Sequence, residues 1–220
     1  MCTIAKVACS NWKRVFLALN GTDFRTDPGS NEYVHGAVGK LTLGRRRPDS
    51  HEAILREYSN ALLVRHPFDR ILSAYRDKIE PGEGQYASFG RRIADAFPDK
   101  RMRPPNATFE QFVRHLVVTD PAKFDVHWRR YVDQCQPCSI RYDFVVKYEH
   151  MSEESDVMFH QLGIGRQVGL SARGEFYKSK PTGELRHHYY SALSPVLVRK
   201  LYEKYFDDFY LFGYVFDYSK

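Results

Sequence analysis

The segment Lys6-Val7-Ala8-Cys9-Ser10-Asn11-Trp12-Lys13-Arg14 puts three cations and two polar side chains around a run of small residues. Such a stretch, if it joins a strand to a helix, aims several backbone N–H groups at one point. The helix dipole adds partial positive charge there. Ala8, Cys9 and Ser10 let backbone approach an anion closely, Lys6 can reach over it, and Ser10 and Asn11 add donors. The chemistry is phosphate or sulfate binding. The pattern is not G-x-x-x-x-G-K-[ST], it has no glycine, and nothing in it marks a magnesium site, which argues against ATP or GTP hydrolysis. A second stretch, VRHPFDRILSAYRDK, offers Arg65 and, eight residues on, Ser73. Arginine grips phosphate with a permanently charged fork and serine adds a hydroxyl. Alone, Arg65 reads better as a surface ion pair and Ser73 as a helix filler. Together with the first stretch they imply a ligand with two separated anionic groups.

These residues need elements to hold them. Residues 2 to 5 read as a short strand and 6 to 10 as a loop. Ser10 or Asn11 would cap a helix to about Leu19, with Trp12, Val15, Phe16 and Leu19 on its buried face. Residues 20 to 48 read mostly as loop, and Asp49 to Glu52 resembles a capping box. Residues 60 to 65 suit a strand buried on both faces of a parallel sheet. Pro67 opens a helix with the stripe Phe68, Ile71, Leu72 and Tyr75. Helices follow at 88 to 97 and 109 to 118, the latter with a Thr108–Gln111 capping box. A strand is expected at 139 to 148, and helices at 153 to 162, 183 to 192 and 195 to 206. The class is α/β, in a single domain without repeats. In open sheets of this class, ligands bind at the carboxyl ends of the strands.

The bulk figures are compatible with this. The chain has 220 residues, 43% hydrophobic and 15% aromatic, enough for a packed core. Its net charge of +6 fits an anionic partner without naming one. No nucleic-acid motif is present, and the cations do not alternate with aromatics as base stacking requires. No apolar run approaches the roughly 18 residues of a membrane span, and no signal peptide leads the chain. Asn20 and Asn106 nevertheless sit in glycosylation sequons. The first strand has almost no room before its loop, so the expectation is an N-terminally incomplete chain, with an anchor and stem missing. Of the four cysteines, Cys135 and Cys138 form CQPC, which fits a metal half-site, a redox pair or a local disulfide. No second close pair completes a zinc site, and a structural role in an oxidising lumen is preferred.

KVACSNWKRV, VRHPFDRILSAYRDK and HWRRYVDQCQPCSIRYDFVVKYEHM together resemble the Golgi carbohydrate sulfotransferases. The branch is that of the chondroitin and dermatan 4-O-sulfotransferases and the HNK-1 sulfotransferase. The resemblance runs over essentially the whole chain. It implies a three-layer, P-loop-like fold with a central parallel sheet flanked by helices. It also implies 3′-phosphoadenosine-5′-phosphosulfate (PAPS) as donor, no metal, and a glycan acceptor of the chondroitin/dermatan type or a related GalNAc- or GlcA-containing glycan. By the resemblance, Lys6, Val7, Ala8, Cys9, Ser10 and Asn11 hold the 5′ phosphosulfate, with Trp12, Lys13 and Arg14 beside it. Arg65 and Ser73 hold the 3′ phosphate, and a basic loop at Lys178 and Ser179 closes over the donor. Family members are type II membrane proteins of the Golgi lumen. The family usually has proline before the lysine, where this chain has Ala5. The alternative is an inactive relative that binds nucleotide or acidic glycan.

Sulfuryl transfer is an in-line displacement at sulfur. Lys6 is assigned to the leaving bridging oxygen, where negative charge develops. The base must be a histidine or carboxylate near the acceptor. His35, read as ending a strand at the crevice, is preferred, and His51, Asp77, Glu80 and His66 are the alternatives. His127 and Trp128 read as packing, His187 and His188 as surface residues. Arg45 to Arg47, Arg91, Arg92 and the KRMR run at 100 to 103 read as solvated charge or as a track for an anionic polysaccharide.

Overall fold

The computed structural model describes residues 1–22, 30–98, 106–165 and 182–217. In chain order the elements are α1 (Cys9–Leu19), α2 (Asn31–Val38), α3 (His51–Glu57), β1 (Ala61–Val64), α4 (Pro67–Lys78), α5 (Ala87–Ala96), α6 (Phe109–Val118), α7 (Tyr131–Cys135), β2 (Phe144–Lys147), α8 (Met151–Gln161), α9 (Thr182–Ser191), α10 (Pro195–Lys204) and α11 (Phe206–Leu211). The chain is α/β, mostly helical with a small parallel sheet. It divides into two compact units, Met1–Val64 with Cys135–Lys178, and Arg65–Gln134 with Ser179–Lys220. Among the described residues, no helix is long and apolar enough to cross a membrane.

The first unit is built on the sheet. β1 and β2 run parallel, Ala61 opposite Phe144 through Val64 opposite Lys147. Every residue of β1 is buried, as its unbroken apolar run requires. The strand expected at 2 to 5 reduces to one parallel bridge, Cys2 to Leu62, with the Cys2 N–H donating to Ala61 O at 3.0 Å. The chain cannot continue along β1 because it turns into the left-handed region at Lys6, φ 72°. The strand expected at 139 to 148 is confined to 144 to 147. Ahead of it, Gln136 has φ 45° and its carbonyl accepts from the N–H groups of Ser139 and Ile140, a turn rather than a ladder. Cys135 is bonded to Cys2. That pairing excludes a local CQPC bridge, and Cys9 and Cys138 remain thiols.

Residues 20 to 48, expected as loop, contain a helix. Ser30 caps α2 by accepting from the Tyr33 N–H at 3.1 Å. Val34 and Val38, one turn apart, pack with Leu17 of α1. Interspersed glycine and polar residues disguised this short stripe. The capping box expected at Asp49–Glu52 does not form. Ser50 is already helical, φ −90° and ψ −10°, and its hydroxyl donates to Arg47 O at 2.7 Å. Across the unit, Trp12 of α1 packs against Phe159 of α8 at 5.4 Å. α8 is tied to the sheet where Glu154 accepts from the Lys147 N–H at 2.6 Å.

The second unit is helical around α4. Phe68, Ile71, Leu72 and Tyr75 are buried as their spacing predicts, and Phe68 stacks on Tyr190 of α9 at 4.6 Å. Each such side chain contributes about 1.5–3 kcal/mol on burial. α6 carries the complete Thr108–Gln111 capping box. The helix expected at 195 to 206 breaks at Tyr205, φ −112° and ψ 16°, where the buried phenol donates to Trp128 O. α11 follows and supplies Asp208, fully buried. Its carboxylate accepts from the N–H groups of Tyr131 at 2.9 Å and Val132 at 3.3 Å. Burial pushes the Asp208 pKa up to about 6, against the pull of those N–H groups and of the Arg70 guanidinium. Arg70, 1% exposed, donates to Arg129 O at 2.7 Å and lies over the Tyr131 ring.

Candidate functional site

Two residues of the lysine turn occupy the left-handed region without being glycine: Lys6 at φ 72° and Ala8 at φ 61°. Each such residue costs about 1–2 kcal/mol. The turn is imposed by its anchors. Val7, between the two, is 1% exposed, Trp12 is 1% exposed, and Cys2 is fixed by the disulfide. Ala8 is the N-cap of α1 and makes no side-chain capping bond. The expected cap by Ser10 or Asn11 is therefore corrected: the helix begins at Cys9, and both lie inside its first turn.

This geometry concentrates donors. Ala8 O accepts from the N–H groups of Asn11 and Trp12 at 3.0 and 3.3 Å. Among the described residues, the N–H groups of Val7, Ala8, Cys9 and Ser10 meet no acceptor. No acidic residue sits in the first turn to neutralise the helix N-terminus. Consecutive free N–H groups in a left-handed turn form an anion-binding concavity. On the buried face of α1, Val15 and Leu17 are covered, whereas Leu19, expected there, is 39% exposed.

His35 is brought to this turn, although not as expected. It lies on α2 rather than at a strand end. Its Nε2 is 3.0 Å from Ser10 Oγ and its Nδ1 is 3.0 Å from Lys13 Nζ. An ammonium can only donate, so Nδ1 accepts from Lys13. The neutral ring then carries its proton on Nε2 and donates to Ser10. The Ser10 hydroxyl proton is left to point elsewhere, toward an acceptor such as an anion. His51, by contrast, opens α3 and bonds Arg46 O at 3.2 Å.

Arg65 is the first residue after β1 and belongs to the second unit. Its backbone is fixed from both sides by Tyr131: the Arg65 N–H donates to the phenol oxygen at 2.9 Å, and the phenol donates to Arg65 O at 3.0 Å. Arg65 is 5% exposed, and Ser73 is half-buried on α4. His66 caps α4, with Nδ1 accepting from the Phe68 N–H at 3.3 Å. Burial first, then the positive field of Arg186, lowers its pKa to about 4. Its edges meet Phe209 and Tyr214. Asp77 pairs with Lys78 at 3.1 Å, and Glu80 accepts from the Tyr189 hydroxyl. Lys178 and Ser179 lie outside the described residues.

One constellation escaped the sequence reading. Trp128 is packing, 2% exposed, but His127 is more than that. Its Nδ1 lies 2.6 Å from Asp125 Oδ1, and the Tyr86 hydroxyl donates to Asp125 Oδ2 at 3.0 Å. Burial opposes the Asp125 charge, but hydrogen bonds from the His127 N–H, the His127 ring and Tyr86 hold its pKa below the ordinary value. The available signal was the spacing Asp125-x-His127, which lets the carboxylate accept the backbone N–H two residues on, here at 2.9 Å.

The lysine turn and its basic helix are the start of a longer match. The profile of the sulfotransferase family aligns with residues 1–215. This chain belongs to the sulfotransferase family. It is similar to carbohydrate sulfotransferase 14 of Danio rerio, 33% identical over 218 residues, covering 97% of the chain and 59% of that protein. It is 31% identical to carbohydrate sulfotransferase 8 of Homo sapiens, covering 97% of the chain and 52% of the relative. With carbohydrate sulfotransferase 11 of Rattus norvegicus it shares 30% identity, with 97% and 63% covered. The sulfotransferase chain thus spans between half and two thirds of the length of these relatives. No solved structure matches it.

Proposed function

We propose that this chain carries the catalytic centre of a carbohydrate O-sulfotransferase, moving the sulfuryl group of PAPS to a glycan hydroxyl. The observation that carries the reading is the lysine turn: a left-handed backbone presenting N–H groups without acceptors, ahead of a basic helix with no acid in its first turn. In the first unit, the N–H groups of Val7 to Ser10, with Ser10 Oγ, take the 5′ phosphosulfate. Trp12 anchors the helix beneath, Asn11 lines the turn, and Lys13 and Arg14 add charge. Lys6 steadies the bridging oxygen as the sulfuryl group departs. In the second unit, Arg65 and Ser73 take the 3′ phosphate. Transfer needs no protein nucleophile; positioning supplies much of the rate.

His35 serves as base through Nδ1. Lys13 occupies that nitrogen in this structure. A bound phosphosulfate competes for the ammonium, and turning Lys13 to the anion releases the lone pair for the acceptor hydroxyl. The acceptor is a chondroitin/dermatan-type glycan or a relative containing GalNAc or GlcA. The setting is the Golgi lumen, in a type II membrane protein whose exposed Asn20 is open to N-glycosylation.

The test is transfer of radiolabelled sulfate from PAPS to a panel of desulfated glycans. Lys6→Ala and Arg65→Ala should each abolish incorporation while the far-ultraviolet circular dichroism stays unchanged. His35→Ala should lower kcat at least a hundredfold, the usual scale of a general base, with KM for PAPS changed much less. Full activity in the Lys6 and Arg65 variants would overturn the assignment. No incorporation by the parent chain, with adenosine 3′,5′-bisphosphate still bound, would favour an inactive nucleotide-binding relative.

A further inference from the structure

The second unit contains a cleft of about 160 Å³ lined by Gln85, Tyr86, Ser88, Phe89, Arg92, Asp125 and Trp128. That is about five water volumes, well below the ~300–1,000 Å³ of sites that enclose a drug-sized ligand. It suits a single ring presented from solvent. Gln85, Ser88, Phe89 and Arg92 recur at helical spacing, so the turn before α5 and α5 itself offer one continuous face.

The walls are rigid and aromatic. Phe89 stacks on the buried Trp128 at 5.6 Å with 20° between the rings, and Tyr86 meets Trp128 edge-on at 6.1 Å. The Arg92 guanidinium rests 5.6 Å from the centre of the Phe89 ring. That contact holds the cation at the rim, so little order is lost when it binds. Arg92 has no acidic partner among the described residues. Asp125 forms no ion pair with Arg92; its carboxylate oxygens are engaged by His127 and Tyr86. Lys78, the other cation nearby, lies 5.7 Å from the Tyr86 ring and is paired with Asp77. Gln85 and Ser88 are exposed and free to exchange hydrogen bonds with hydroxyls.

A sugar ring has this chemistry in mirror image: an apolar C–H face for aromatic walls, hydroxyls for amide and hydroxyl side chains. An acidic sugar adds a carboxylate, which a guanidinium binds in a forked geometry. We propose that this cleft is an acceptor subsite that seats one hexuronate residue of the glycan, its carboxylate on Arg92. The inference rests on the carbohydrate-sulfotransferase reading and specifies where and how the chain recognises an acidic acceptor.

The experiment measures binding of a chondroitin hexasaccharide and of its carboxyl-reduced counterpart by titration calorimetry. Adenosine 3′,5′-bisphosphate is titrated in parallel. Arg92→Ala should weaken the acidic hexasaccharide about tenfold, the scale of one charge-assisted hydrogen-bonded contact. The reduced hexasaccharide should be nearly unaffected, and Arg92→Lys should recover part of the loss. Gln85→Ala, an exposed change that leaves the fold intact, should weaken both sugars a few-fold. Equal binding of the acidic hexasaccharide by the parent, Arg92→Ala and Gln85→Ala proteins overturns the subsite. If the hexasaccharide binds through Arg92 but the nucleotide does not bind, the donor assignment fails and the subsite stands.

Discussion

Replacing Ala8 by glycine is predicted to stabilise the protein and weaken its hold on nucleotide. Ala8 sits at φ 61° and ψ 30°. An L-residue there costs about 1–2 kcal/mol, which glycine avoids. Glycine also gives the unfolded chain more freedom, offsetting about 0.5–1 kcal/mol of that gain. The balance is about 0.5–1 kcal/mol in favour of Ala8→Gly, a rise in Tm of about 1–4 °C for a chain of this size. Valine at the same position, branched at Cβ, should instead lower Tm by a similar or larger amount. The same freedom loosens the turn that presents the N–H groups of Val7 to Ser10. Part of its ordering then falls on the binding step, and affinity for adenosine 3′,5′-bisphosphate should drop about two- to fivefold. Differential scanning calorimetry and titration calorimetry read the two effects. A lower Tm for Ala8→Gly, or an unchanged Tm for Ala8→Val, would refute the left-handed turn and the donor geometry built on it.

Two further perturbations follow from the packing. His66 has its pKa lowered from 6.5 to about 4, chiefly by burial. The folded form therefore favours the neutral ring, and its contribution is fully present above 6.5. It is lost as pH falls, because the unfolded chain takes up the proton first. The full loss is of the order of 3 kcal/mol. Asp208 works in the opposite sense, since its raised pKa of about 6 favours the fold as pH falls. His66→Asn keeps an acceptor for the Phe68 N–H and removes the titration. Between pH 7 and pH 4.5 the urea stability of the parent should fall relative to the variant by about 2–3 kcal/mol, and a pH-independent difference would contradict the assignment. For the Cys2–Cys135 bridge, which spans 133 residues of sequence, Cys135→Ser should cost about 2–5 kcal/mol and Cys138→Ser almost nothing. A non-reduced peptide map joining Cys135 to Cys138 would contradict the pairing.

Local signals of sufficient length were legible in the sequence. The run Ala61–Val64, the proline-led stripe of α4 and the Thr108–Gln111 box all lie where their patterns place them. Each depends on contacts within one turn or one strand, or on a uniformly apolar surface. The cationic turn was legible too, because residue type alone fixes charge and size. The helix holding His35 was not, because Val34 and Val38 acquire meaning only against Leu17. Nor was the Asp125–His127–Tyr86 cluster, since Tyr86 comes from a distant segment.

The sequence by itself determined that cations flank a run of small residues near its start, that the turn has no glycine, and which family it belongs to. Tertiary structure decided how that turn is shaped. Left-handed backbone at Lys6 and Ala8 is locally unfavourable, and it persists because buried Val7, buried Trp12 and the Cys2–Cys135 bridge leave the chain no relaxed path. It also decided the protonation of His35, whose tautomer depends on a lysine 22 residues away in sequence. Residue types specify which groups can act; their free energies as donors, acceptors and bases are set by neighbours that only the folded chain supplies.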